Sequence, residues 1–191
     1  MPMILAWGTD DCAVLDACVL VPMALCGLLL RLAEDPAMYR PIWSEHIMVE
    51  LSRVLKSKLN CRDEQISYRR QEMKRAFPEA MVTVPSALLD ALTCIPDQHD
   101  RPVLAVAVIA HAGTIVTQNL RRFPKDCLDQ FGVRCETAEE FLIRQFSANE
   151  QPVLDKLDDQ SAAIARDRAF VLASLKRSVP TFVEKLQKHL R

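Results

Sequence analysis

A four-residue apolar run, Cys12-Ala-Val-Leu15, stops abruptly at Asp16 and gives way to a second apolar stretch over residues 19–30. The first run is too short for a helix and is bounded as a buried strand is, so Asp16 stands where a strand ends and the chain turns. Pro22 reads as the first residue of the next helix and puts that helix's cap near Val21, several residues too late for Asp16 to serve as it. Further short strand-like runs at 39–43, 81–84, 114–117 and 132–135 alternate with helical stretches at 22–34, 45–58, 62–77, 86–92, 103–110 and 137–146. That alternation predicts βαβ units, hence an α/β fold whose parallel sheet is covered on both faces. Ligands of such sheets gather at the carboxyl ends of the strands, which makes Asp16 the first candidate for a working residue, with a plain turn aspartate as the alternative.

With 191 residues, half of them hydrophobic, the chain can bury one full core. Residues 1–147 form the expected main domain; residues 148–191 form the expected linker and C-terminal helical extension, with a polar linker at 147–152 and helices at 153–176 and 181–190. The extension is expected to pack on its own domain. A net charge of −1 advertises no global field for nucleic acid, so a polyanion must be held by a local patch or through metal ions. Seven cysteines without a Cys-x-x-Cys pair argue against a disulfide framework and a zinc site, and Cys12, Cys26, Cys94 and the others read as small core residues in a reducing compartment. The apolar stretch at 19–30 is shorter than a membrane span, and Asp10, Asp11 and Asp16 precede it where a signal peptide needs positive charge, so a cytoplasmic protein without a membrane partner is expected.

Two further acids share the placement of Asp16. Glu50 lies on a helix that Ser44 caps, at the border of the stripe formed by Ile47, Leu51, Val54 and Leu55; a salt bridge to Arg53 or Lys56 is the alternative reading. Asp100 opens the apolar helix that Gly113 ends as a C-cap, and capping alone would also account for it. Asp97 is close by, and Thr117 and Asn119 follow the fourth strand as Asp16 follows the first. The stretch at 62–77 carries Arg69, Arg70, Lys74 and Arg75, a basic helix whose ordinary reading is a solvated face.

The glycines form no phosphate-binding loop at the first strand-to-helix turn, the position two after Asp16 is Cys18 rather than a second aspartate, and no Gly-x-Ser-x-Gly elbow occurs. What remains is a set of hard oxygen donors. Converging carboxylates repel one another unless a cation holds them, and an all-oxygen site suits Mg²⁺ or Mn²⁺.

The segments AVLDACVLVP, RPIWSEHIMVELSRVL and IPDQHDRPVLAVAVIAHAGTIVTQNLRRFP resemble the PIN-domain family, specifically its bacterial branch related to VapC-type toxins. The resemblance implies a three-layer α/β/α sandwich with a central parallel sheet of about five strands, and an Mg²⁺- or Mn²⁺-dependent endoribonuclease acting on single-stranded RNA. By position, Asp16, Glu50 and Asp100 match the family's metal-binding acids, and Thr117 and Asn119 its polar pair after the fourth strand. The chain departs from the pattern at Arg122, where relatives commonly carry an aspartate before Phe-Pro, and at Cys18, where an asparagine is common. An arginine there would weaken a second metal or substitute for it at a phosphate.

The expectation is thus a ribonuclease in which Asp16, Glu50 and Asp100 hold a metal while Arg101, Arg121, Arg122 or the basic helix steadies the RNA backbone. A second copy of the chain and, in a toxin pair, an antitoxin are the expected protein partners. The rival readings are a non-catalytic RNA-binding module on the same fold, and a structural protein whose acids merely cap helices.

Overall fold

The computed structural model describes residues 12–190. Five parallel strands, β1 (Cys12–Leu15), β2 (Arg40–Ser44), β3 (Met81–Val82), β4 (Thr114–Val116) and β5 (Arg134–Glu136), form one sheet in the order β3-β2-β1-β4-β5. Helices surround it in a three-layer α/β/α sandwich, as the alternating pattern requires. All four residues of β1 are buried, because this strand is central and covered on both faces. The chain builds outward from β1 to β3, then crosses back to β4 on the other side. The strand order therefore reverses between β1 and β4, the place where an open α/β sheet leaves a crevice at its carboxyl edge.

The helices follow their apolar spacing. Helix α1 (Ala17–Leu20) starts directly after Asp16, and α2 (Met23–Leu32) follows, burying Leu25, Cys26, Leu28, Leu29 and Leu32. Pro22 is thus the N-cap of α2 rather than its first residue, and the chain is helical sooner than the proline suggests. Ser44 caps α3 (Glu45–Leu59) by accepting from the Ile47 amide at 3.5 Å, and Asn60, in the left-handed conformation at φ 52°, ends it. Helix α4 (Asp63–Ala76) is the basic stretch. A short α5 (Ser86–Ala91) precedes α6 (Arg101–Ala110), which packs on β2, β1 and β4. The C-cap of α6 is His111 at φ 51°, not Gly113: the chain turns two residues before the glycine. A 3-10 turn at Leu120–Arg122, α7 (Lys125–Asp129) and α8 (Ala138–Ala148) complete the sandwich.

In place of the expected linker, only Asn149 separates α8 from α9 (Glu150–Ala163). The long helix expected at 153–176 is broken. Ala165, at φ 50°, turns the chain between α9 and α10 (Arg168–Leu175), and α11 (Pro180–His189) ends it. Helix α9 lies on α2, where buried Lys156 donates to the carbonyls of Glu34 and Asp35 at 3.2 Å each and Gln160 donates to that of Ala24 at 2.9 Å. A lysine at this end of α2 satisfies carbonyls just past the helix and complements its negative pole. Helix α11 lies on α8, and Glu139 of α8 accepts from the Thr181 and Phe182 amides at its start.

Cys94 and Cys127 form a disulfide, which corrects the reading of every cysteine as a free core thiol; Cys12, Cys18, Cys26, Cys61 and Cys135 are free. Among the described residues no helix is long and apolar enough to cross a membrane.

Candidate active site

Asp16 leaves β1 at the switch point and occupies the N-cap position of α1, yet its side chain caps nothing. Oδ2 instead accepts from Thr117 Oγ1 at 2.6 Å and from Cys18 Sγ at 3.1 Å, while the Asp16 amide donates to the Val116 carbonyl at 3.1 Å. Thr117 is fully buried just beyond β4, and its Oγ1 also accepts from the Asn119 amide at 3.1 Å; Cys18 Sγ accepts from the Gln118 amide at 3.2 Å. The exits of β1 and β4 are thereby tied around one carboxylate. Burial, then the Asp16 charge, pushes the Cys18 thiol up to about 12, so at neutral pH it is a neutral donor to Asp16. Cys135, beside the same charges, is likewise pushed up to about 12, by burial before all else.

Asp16 and Glu50 line one small cavity of about 20 Å³ with His46, Ile47, His99, Pro102 and Val103. His46 and His99 had no functional reading from the sequence. The spacing of His46 and Glu50, four residues apart on α3, is the signal that brings both to one helix face. Glu50 is more open than a residue at the edge of a buried stripe, with its side chain 44% exposed, and it pairs with Arg53 at 3.4 Å.

Asp100 stands at the start of α6 and makes no cap bond either. Both of its carboxylate oxygens accept from Arg122 Nη1, at 3.0 and 3.2 Å, and Asp97 Oδ2 lies 4.0 Å from the same nitrogen. Burial raises the Asp100 carboxyl above its ordinary value; the bond and charge of Arg122 oppose this, while Asp97 and Asp16 add to it. Arg122 in turn is held more firmly protonated by Asp100, with smaller contributions from Asp97 and Glu50. The charges of Asp97 and Asp16 thus act on Asp100, and those of Asp97 and Glu50 on Arg122.

The geometry and the comparison agree at this point. The PIN-domain sequence profile matches residues 12–121, from the first residue of β1 into the turn after β4. The chain belongs to the PIN-domain family. No curated protein matches it significantly. PIN domains are generally nucleases that use divalent metals. The donor chemistry of Asp16, Glu50 and Asp100 suits a hard cation, but the expected convergence on one ion is only partial. Among the described residues no three His, Cys, Asp or Glu side chains are grouped closely enough to hold a metal. Asp16 and Glu50 share a cavity, whereas Asp100 is engaged by Arg122.

The other candidates separate. Arg101 of the PIN domain donates to the carbonyls of Ile95 at 3.2 Å and Leu89 at 3.4 Å, so it organises the loop before α6. Arg121 is exposed beside Arg122, and Asn119 is exposed after Thr117. Several cations of the basic helix and its neighbour α3 are engaged where they sit. Arg69 holds the Leu20 and Val21 carbonyls, Arg70 pairs with Glu45, Arg75 with Glu72 at 2.6 Å, and Lys56 of α3 with Asp63 at 2.8 Å.

Proposed function

We propose that this PIN domain is a divalent-metal-dependent endoribonuclease acting on single-stranded RNA. The observation that carries the reading is Asp16, fixed at the switch point by Thr117 and Cys18 on the cavity it shares with Glu50. Asp16 and Glu50 would hold Mg²⁺ or Mn²⁺, while Asp100 stays paired with Arg122. When bound, such an ion would polarise a water molecule and neutralise charge on the phosphodiester. Thr117 and Cys18 keep the Asp16 carboxylate in one orientation, and His46 and His99 narrow the cavity around it.

The test is Asp16→Asn. The natural protein should cleave a labelled single-stranded RNA in Mn²⁺, and the variant, folded by circular dichroism, should lose at least about a hundredfold in rate, as removal of a group acting on the transition state does. Equal rates would overturn the assignment. A second reading, an RNA-binding module without cleavage, is favoured by the Arg122–Asp100 pair, which neutralises one of the three acids. RNA binding that persists in EDTA, with no cleavage in Mn²⁺, would select it. The likeness to VapC-type toxins supports a role as the toxin of a pair, partnered by an antitoxin and by a second copy of the chain. Co-purification with the product of a neighbouring gene tests that role.

A further inference from the structure

We propose that Arg122 is the built-in phosphate clamp of this site: anchored on Asp100, it binds a backbone phosphate of single-stranded RNA. The proposal rests on the nuclease reading for its substrate but on separate observations for its residue.

The pair is not an ordinary surface ion pair. The Asp100 side chain is only 12% exposed while that of Arg122 is 50% exposed, so a nearly buried carboxylate anchors a guanidinium whose remainder faces solvent. All the contacts to Asp100 and Asp97 come from Nη1, which leaves Nε and Nη2 without a partner among the described residues. A guanidinium carries five N–H donors in a planar fork, so one held by a single nitrogen still presents an edge suited to two phosphate oxygens. Asp100 first, then Asp97 and Glu50, hold the guanidinium firmly protonated, so the clamp stays cationic.

The same placement works against a second metal ion. A fixed positive charge on Asp100 both consumes its donor oxygens and repels an incoming cation. The covalent frame keeps the arrangement together: the Cys94–Cys127 disulfide joins the segment leading into Asp97 and Asp100 to α7, five residues beyond Arg122. Arg122 and Asp100 therefore stand on two segments that this bond joins.

The experiment uses the full chain and three variants, Arg122→Gln, Arg122→Lys and Arg122→Asp. Binding of a fluorescein-labelled single-stranded oligouridine is followed by anisotropy in EDTA over a range of salt, and Mn²⁺ binding by titration calorimetry. Gln keeps a donor for Asp100 but loses the charge. It should weaken RNA binding by roughly tenfold, as loss of a charge-assisted phosphate contact does, and lower the slope of log K against log salt by about 0.7, one phosphate on a single strand. Lys should keep most of the slope. Mn²⁺ should bind more tightly to Arg122→Asp than to the natural protein. Coincident RNA isotherms and slopes for the natural protein and Arg122→Gln would overturn the clamp, as would an absence of RNA binding by the natural protein at low salt. Cleavage in Mn²⁺ is read separately. A protein that binds RNA through Arg122 yet never cleaves it retains the clamp and loses the nuclease reading.

Discussion

The tie between Asp16 and Thr117 is the contact on which the site's geometry depends, and its worth can be calculated before it is measured. Thr117→Val preserves the shape of a side chain with no exposed surface, so it opens no cavity. It removes the donor that Asp16 Oδ2 meets at 2.6 Å and the acceptor of the Asn119 amide at 3.1 Å. A hydrogen bond to a charged acceptor contributes about 1.5–3 kcal/mol net. Asp16 is only partly buried and keeps Cys18 Sγ at 3.1 Å, and Asn119 is exposed so water replaces its lost acceptor; both place the effect at the lower end, near ~1.5 kcal/mol. With a urea dependence of about 2 kcal/mol/M, the unfolding midpoint should fall by roughly 0.75 M, and the melting temperature by about 3–6 °C. Thr117→Ser should restore most of it. A double-mutant cycle with Asp16→Asn separates this contact from any general effect on the β4 exit, since only a direct interaction leaves a coupling energy. A coupling indistinguishable from zero would refute the reasoning, because Thr117 would then be a packing residue that happens to touch Asp16.

Two other outcomes follow from the charges and thiols. Asp100 has its carboxyl raised in the folded chain, chiefly by burial, so the folded state holds the proton more tightly than the unfolded one; the ionised form costs stability above that raised value and nothing below the ordinary carboxylate range. Stability should therefore decline as pH rises out of that range, and urea midpoints of Asp100→Asn should lack that component; identical pH profiles would contradict it. Iodoacetamide at pH 8 should leave Cys18 and Cys135 unmodified in the folded protein, with both thiols pushed up to about 12, and should reach Cys94 and Cys127 only after reduction. Peptide mass spectrometry of the alkylated chain reads both parts, and rapid native modification of Cys18 would contradict its role as a neutral donor to Asp16.

What could be read from the sequence divides along a physical line. Strand β1 and the carboxylate that ends it are legible because a central parallel strand must be apolar on both faces, which leaves a sharp border at Asp16. Helix α3 is legible for a similar reason: the Ser44 cap and the spacing of Ile47, Leu51 and Leu55 are local signals. Helices α1 and α7, of four and five residues, are too short to show a period, so they emerge only from the fold. In α9 the buried face includes Lys156 and Gln160, which blurs the apolar pattern because their partners are carbonyls at either end of α2, more than a hundred residues away. The break at Ala165 carries no glycine or proline to announce it.

The site divides in the same way. The acids announced themselves by their positions relative to strands and helices, but which cation each would meet was a tertiary question. Arg53 lies three residues from Glu50 and was foreseeable as its partner. Arg122 was visible only as a departure from a family pattern until its Nη1 was found on both oxygens of Asp100, twenty-two residues away. Cys94 and Cys127 likewise show no motif at a separation of 33, yet they join the two segments that bring that pair together. These two contacts are thus long-range, and they converge on one place, the ion pair that ties Asp100 to an arginine. Under the proposed function, the choice between a metal and a guanidinium as the group that meets RNA rests on contacts that no local pattern encodes, and this is why Arg122, rather than any of the three acids, is the residue whose substitution most sharply separates the two modes.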